Sequence, residues 1–140
     1  MEKFLIIKTD GGARGNPGPA AIGVFVCDSE GKEIVRFGRK IGETTNNVAE
    51  YQAVIGALDW VLKNEPGKFD GARFYLDSSL VVNQLNGLFK VKENHLRELI
   101  IKIKLLEQEI GGNVSYHFIP RSENRVADAL VNASLDGKIN

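Results

Sequence analysis

One cysteine, two histidines, no net charge and no long apolar run are the absences that bound this 140-residue sequence. Cys27 alone cannot form an intramolecular disulfide framework or a thiolate zinc site. It sits in the run "AAIGVFVCD" and reads as a small core residue. With only His95 and His117 available, imidazole-rich metal chemistry is excluded as well. The 18 basic residues match the 18 acidic ones. A polyanionic partner would therefore have to be held by a local patch or through metal ions, not by bulk charge. No run approaches the roughly 18 apolar residues of a membrane span. The start "MEKFLIIKTD" has neither the apolar length nor the small-residue cleavage site of a secretory leader. A cytoplasmic protein without membrane association is the expectation. At 43% hydrophobic and 26% charged residues, the chain suits one globular domain over 1–140.

What is present is a change of period along the chain. "KFLIIKTD", "AAIGVFVCD" and "KEIVRFGRKI" are short β-rich runs, the second and third joined by the turn "SEGK". They predict an antiparallel meander whose first strand ends on Asp10 and enters a long glycine- and proline-rich loop. "TNNVAEYQAVIGALDWVLKN" then follows a helical period, with Val54, Ala57, Leu58 and Val61 on one stripe and "EPG" as the stop. "ARFYLD" is a fourth strand ending on Asp77, followed at once by the short helix "SSLVVNQLNG". "ENHLRELIIKIKLLEQEI" is an amphipathic helix, "NVSYHFIP" a fifth strand, and "SENRVADALVNASL" a last helix with Ser122 as its cap. The order β-β-β-α-β-α-α-β-α predicts a mixed sheet, its first three strands antiparallel and its later ones parallel through right-handed crossovers, with helices on both faces.

Four acids fall where such sheets bind ligands, beyond the carboxyl ends of the strands. Asp10 and Asp77 end strands, and Glu50 and Asp128 lie near helix N-termini. Glu50 extends the buried stripe of its helix, one turn above Val54. One account makes it a first-turn acid in a capping-box-like pair with Asn47. Another brings all four carboxylates together, which costs several kcal/mol unless protons or cations relieve the repulsion. An all-oxygen site of that kind selects hard ions such as Mg²⁺ or Mn²⁺. Two such ions roughly 4 Å apart can clamp a phosphodiester. The plainer alternative is four unrelated surface acids.

The segments "TDGGARGNPGPAAIG", "TTNNVAEYQAVIGAL", "LDSSLVVNQLNG" with "FKVK", and "RSENRVADALVNAS" occur in the order and spacing of type 1 ribonucleases H. The chain resembles that family over essentially its whole length. The resemblance implies a ribonuclease H-like fold with a five-stranded mixed sheet. It implies hydrolysis of the RNA strand of RNA–DNA hybrids by two metal ions, Mg²⁺ with Mn²⁺ as a substitute, leaving 5′-phosphate and 3′-hydroxyl ends. By position, Asp10, Glu50, Asp77 and Asp128 correspond to the family's metal ligands, with Asp10 bridging both ions.

The same resemblance gives the loop glycines a purpose. Gly11, Gly12 and Gly15 would let the backbone approach the duplex groove, and Asn16 matches a residue facing the hybrid. Thr45 would belong to a phosphate pocket, with Asn46 and Asn47 near the minor groove. Helix capping is the alternative for these three. Lys90, Lys92 and Arg97 are candidate phosphate contacts. Ser79 stands where some relatives carry a longer amide.

The chain departs from larger relatives in two places. Only "GLFKVK" links Gly87 to Glu93, so the basic protrusion of those relatives is absent. The loop before the fourth acid is shortened to "PRSEN", with Arg121 nearest to the position of a mobile histidine. Arg121 is the candidate for holding a phosphate oxygen, the alternative being a surface pair with Glu123; His117 reads as a sheet residue. The compact subgroup with these features includes members that also act on double-stranded RNA, which leaves that substrate open. A monomer is expected. Other readings to be tested are a different two-metal nuclease on the same fold, a non-catalytic nucleic-acid-binding module and a scaffold without a site.

Overall fold

A computed structural model of the chain describes residues 3–139. Its first strand, β1 (Phe4–Ala13), shows the period of two that its sequence dictates. Leu5, Ile7, Thr9 and Gly11 are buried on one face, while Phe4, Ile6, Lys8 and Asp10 alternate with them on the other. β2 (Gly18–Asp28) and β3 (Glu33–Thr44) continue the sheet antiparallel to it. β4 (Gly71–Leu76) pairs with β1 in parallel, and β5 (Val114–Phe118) pairs with β4 in parallel. The resulting order, β3-β2-β1-β4-β5, is the mixed sheet expected from the chain pattern.

Helix α1 (Asn46–Asn64) begins at Thr45, whose hydroxyl accepts the Val48 N–H at 3.2 Å. Its stripe of Val54, Ala57, Leu58 and Val61 packs with Leu5, Ile7, Val24 and Phe74 in the main core. Each large side chain fully removed from water there contributes about 1.5–3 kcal/mol before ordering costs. Helix α2 (Ser79–Leu85) and helix α3 (Asn94–Glu109) join the same core through Val81, Val82, Leu85, Leu96 and Ile103. Helix α4 (Arg125–Leu135) lies on the opposite face of the sheet, against β1, β2 and β3. Helices thus flank both faces. No helix among the described residues is long and apolar enough to cross a membrane.

Four local expectations change. β1 does not stop at Asp10 but pairs with β2 as far as Ala13 opposite Ala20, so the loop is only Arg14–Pro17. The glycines after Asp10 are strand residues that still offer backbone bonds to the ladder. The N-cap position of α4 is Asn124, whose side chain makes no capping bond, and not Ser122, which lies in a 3₁₀ turn over Arg121–Glu123. Glu50 stands in the second turn of α1, and the first turn holds no acid, so neither the helix dipole nor a capping box with Asn47 explains it. Cys27 is half-exposed, because it shares the outward face of β2 with Phe25 instead of the inward face of Val24 and Val26.

Candidate active site

The site is assembled around Asp10 by two close backbone approaches. On one face, Gly11 lies under the first turns of α1. A Cβ there would overlap the Ala49 carbonyl and stand 2.6 Å from the Glu50 nitrogen. On the other face, Gly23 pairs directly with Asp10 across β1 and β2. A Cβ on Gly23 would collide with the Ala127 carbonyl oxygen and sit 3.1 Å from Leu130 Cβ. α1 carries Glu50 and α4 carries Asp128, so each acid-bearing helix reaches the sheet at a residue without a side chain. Asp77 is the residue after β4 and directly precedes Ser78, the cap of α2.

Asp10, Glu50 and Asp77 each bring one carboxylate oxygen within 4.8 Å of the others. Asp128 lines the same cleft but stands outside this tight group. The cleft encloses about 540 Å³ and opens at the carboxyl ends of β1 and β4. Its electrostatics are those of crowded acids. Burial first, then the charges of Asp77, Asp128 and Glu50, push the Asp10 carboxyl up to about 8, against the opposing Gly11 N–H. Burial and Asp77 push Glu50 up to about 7, with the Ser78 hydroxyl and the Arg121 charge pulling the other way.

Support comes from fully buried Asn124. Its amide donates to the Thr9 carbonyl at 2.9 Å and to the Asp77 carboxylate at 3.2 Å. It thus ties β1, β4 and the start of α4 into one unit. Sequence reading passed over Asn124, and also Ser78 and Arg14. The signal for the first two was available, since each directly precedes a helix as a capping residue type. Arg14 lines the cleft edge and is held by Asp136 at 2.6 Å, a contact between residues 122 apart that no local pattern announces.

The other candidates divide. Gly11, Gly12, Asn46, Asn47, Ser79 and Arg121 line the cleft with the four acids. Arg121 makes no ion pair with Glu123 among the described residues. Gly15, Asn16 and Thr45 stand behind the lining. Gly15 takes a φ of 90° in the turn. The Asn16 side chain accepts the Asn46 N–H at 3.0 Å, and the Asn46 side chain accepts the Ala13 N–H at 2.8 Å, so this pair staples the β1–β2 loop to α1. Lys90 and Lys92 are exposed on the α2–α3 link, away from the cleft lining. Arg97 donates to the Val91 carbonyl at 2.6 Å and so stiffens that link. His117 lies in β5 beside Tyr75, as a sheet residue.

A β3-β2-β1-β4-β5 sheet with acids from β1, α1, the end of β4 and α4 gathered in one cleft defines the ribonuclease H-like class of folds. Residues 8–134 match the family described as reverse transcriptase-like. The chain is 38% identical over 127 residues to the ribonuclease HI of Halobacterium salinarum, covering 91% of this chain and 62% of that protein. It is 37% identical over 133 residues to the bifunctional protein Rv2228c of Mycobacterium tuberculosis, where it spans 94% of its own length and 35% of its relative's. Among solved structures, LC11-RNase H1 in complex with an RNA/DNA hybrid superposes with a TM-score of 0.91 at 44% identity, over 96% of this chain and 98% of that one. RNase H1 from Halobacterium salinarum gives 0.90 at 35% identity, over 96% and 98%. The chain belongs to the type 1 ribonuclease H family.

Proposed function

We propose that this chain is a metal-dependent endoribonuclease that hydrolyses the RNA strand of RNA–DNA hybrids, leaving 5′-phosphate and 3′-hydroxyl ends. One observation carries the reading: three carboxylates within 4.8 Å, floored in an open cleft, without a balancing buried cation among the described residues. The family relative that holds an RNA/DNA hybrid supports the substrate class.

The donor set fits hard divalent ions. It is all carboxylate oxygen, and the upward push on Asp10 and Glu50 measures the electrostatic cost that a cation relieves. Asp10, Glu50, Asp77 and Asp128 are the residues that would hold Mg²⁺, with Mn²⁺ able to take its place. When bound, the ions supply an activated water and stabilise the leaving oxygen. The chain's own residues do the rest. Asn124 and Ser78 orient Asp77 and Glu50 so that the carboxylates present a fixed set of oxygens. Gly12, Asn46, Asn47 and Ser79 form the wall against which the duplex lies. Arg121 offers a planar fork to a phosphate oxygen and, being charged at all working pH values, moves no proton. The chain acts as a monomer in this reading.

The test is one gel with labelled RNA–DNA hybrid, double-stranded RNA, DNA duplex and single-stranded RNA, each with Mg²⁺, Mn²⁺, Ca²⁺ or EDTA. Hybrid cleavage with Mg²⁺ or Mn²⁺ and none in Ca²⁺ or EDTA is the expected pattern. Cleavage in EDTA, or of the DNA duplex alone, would overturn the assignment. The double-stranded RNA lane decides how strict the hybrid preference is.

A further inference from the structure

α4 covers only part of the sheet face that carries Asp10. It sits over Gly23 and Gly38, and the strand positions farther from the cleft stay open. Register places five of these side by side across the whole sheet: His117 on β5, Tyr75 on β4, Lys8 on β1, Phe25 on β2 and Arg36 on β3. At about 4.8 Å between strands, this row extends roughly 20 Å. The neighbouring row brings Ser115, Arg73, Ile6 and Cys27 together, and Phe4 lies on the same face of β1. All of these residues are exposed or half-exposed.

The row alternates rings with cations. Tyr75 and His117 stack with centroids 5.1 Å apart and planes 28° from parallel. The Arg36 guanidinium lies 5.1 Å from the Phe25 centroid, and that of Arg73 lies 4.0 Å from the Phe4 centroid. Lys8 spends one donor on the Glu123 carbonyl at 3.1 Å and keeps two. Apart from Asp10 at its cleft end, the strand positions of this face carry one acid, Glu33, and Arg36 holds it with two hydrogen bonds. A local cationic surplus therefore stands on a chain whose formal net charge is zero. Phe4, Arg73, Tyr75, Asn113, Ser115 and His117 enclose an open groove of about 500 Å³ at its β4–β5 end.

We propose that this open sheet face is a second nucleic-acid site, one that binds single-stranded RNA or DNA. Rings spaced among cations offer a base its stacking surface and a phosphate its counter-charge within one nucleotide's reach. A duplex hides its base faces and would leave the rings unused. A protein partner is less well matched: Ile6 and Cys27 join Phe4 and Phe25 in a narrow apolar strip, but Arg73, Lys8 and Arg36 border it with charge. The site is separate from the cleft, because the Arg121–Glu123 turn lies between them where Lys8 bonds Glu123.

The test uses the full chain in EDTA with fluorescent dodecamers of deoxythymidine and of uridine, read by anisotropy. Saturable binding is expected for at least one of them. Tyr75→Ala should weaken it at least fivefold, the low end of the loss of one stacked base. Tyr75→Phe should retain it, which separates loss of the ring from loss of fold. Arg73→Gln should flatten the logarithmic salt dependence by about 0.7. Asp10→Asn should bind as wild type. Absence of saturable binding overturns the site, as does unchanged affinity in Tyr75→Ala. Displacement of the oligomer by an unlabelled hybrid duplex would put the strand in the cleft and also overturn it. Self-association abolished by Tyr75→Ala would make the face a contact between copies and do the same. A protein that binds single strands yet fails to cleave hybrid leaves this site standing and removes the proposed activity; the reverse result does the opposite.

Discussion

Two regions of this protein withdraw carboxylates from water, and they treat them in opposite ways. At the contact of α3 with β5, the Glu107 side chain is 12% exposed. It accepts the Tyr116 hydroxyl at 2.6 Å and faces the Lys104 ammonium at 3.3 Å, and Lys104 also donates to the Leu85 carbonyl at 3.0 Å. Burial, then the Glu107 hydrogen bond and charge, holds the Tyr116 hydroxyl far above its ordinary range, so it stays a donor. Every charge is balanced from within the chain. In the cleft, three carboxylates share one spot with no ammonium among the described residues that line it, and its two guanidinium groups, Arg14 and Arg121, are exposed. The same fold that neutralises one buried acid leaves these unneutralised. The difference marks the cleft as a place whose balance comes from outside.

The sharpest break of that comparison is Asp10→Asn, which keeps shape and removes charge. We expect at least a thousandfold loss of hybrid cleavage, about 4 kcal/mol of barrier, with hybrid binding largely kept. Steady-state rates against wild type check it, and near-normal turnover would refute the placement of Asp10. In the metal-free protein the same change should raise the melting temperature, because it removes repulsion. Glu107→Ala should do the reverse. It strands the Tyr116 hydroxyl, so stability should fall by about 1–3 kcal/mol with kcat unchanged, while Lys104 keeps the Leu85 carbonyl and water. A denaturant midpoint equal to wild type would show that the Glu107 network contributes nothing.

Arg121→Ala tests how much of the cleft's function lies outside the acids. Turnover should drop roughly tenfold to a hundredfold, about 1.4–2.8 kcal/mol. The pH–rate profile should keep its shape, since a guanidinium does not titrate there. Arg121→His should recover part of the rate and add a dependence near neutrality. Full activity in the alanine variant would reduce the residue to surface charge.

The smallest effect per unit is that of pH on the metal-free fold. Asp10 and Glu50 titrate near 8 and 7 when folded and near 4 when unfolded. Between these values the folded state holds protons that the unfolded chain has released. Stability should therefore fall as pH rises from about 4 to about 8, by up to about 1.4 kcal/mol per unit for each proton retained. Saturating Mg²⁺ should offset the fall by mass action. Thermal melts across pH with EDTA and with Mg²⁺ read both, and a flat profile in EDTA would mean that the acids are dispersed.

The elements were legible because their periods are clean. The stripe Val54, Ala57, Leu58 and Val61 and the alternation of Leu5, Ile7 and Thr9 are local signals. The antiparallel start and the parallel later strands followed from short turns and helical crossovers, whereas the pairing of β4 with β1 had no local signal. The boundaries were less legible. Glycines after Asp10 look like a loop in sequence, yet they stay in the strand because β2 continues to pair with them. Ser122 and Asn124 are both capping types, but neither side chain caps α4: Asn124 takes the N-cap position and spends its amide on Thr9 and Asp77, which lie far away in the chain. Of the site, the acids could be nominated from strand ends and helix starts. The Arg14–Asp136 bridge and the role of Asn16 and Asn46 could not, because both depend on where loops meet in space.

Gly11 and Gly23 carry no chemistry, yet they set the clearances of the machine. Each is the gap of one missing methyl group through which a helix is seated against the strand that holds Asp10. An alanine at either position acts as a shim. It overlaps the helix backbone and so must lift α1 with Glu50, or α4 with Asp128, by about an ångström to reach ordinary contact. The fold can absorb such a shift more readily than the ion-binding geometry can, since carboxylates serve a hard cation only at set distances. Under selection for cleavage, these two inert positions are therefore as closely bound to activity as the acids themselves, and a survey confined to polar side chains would pass them by.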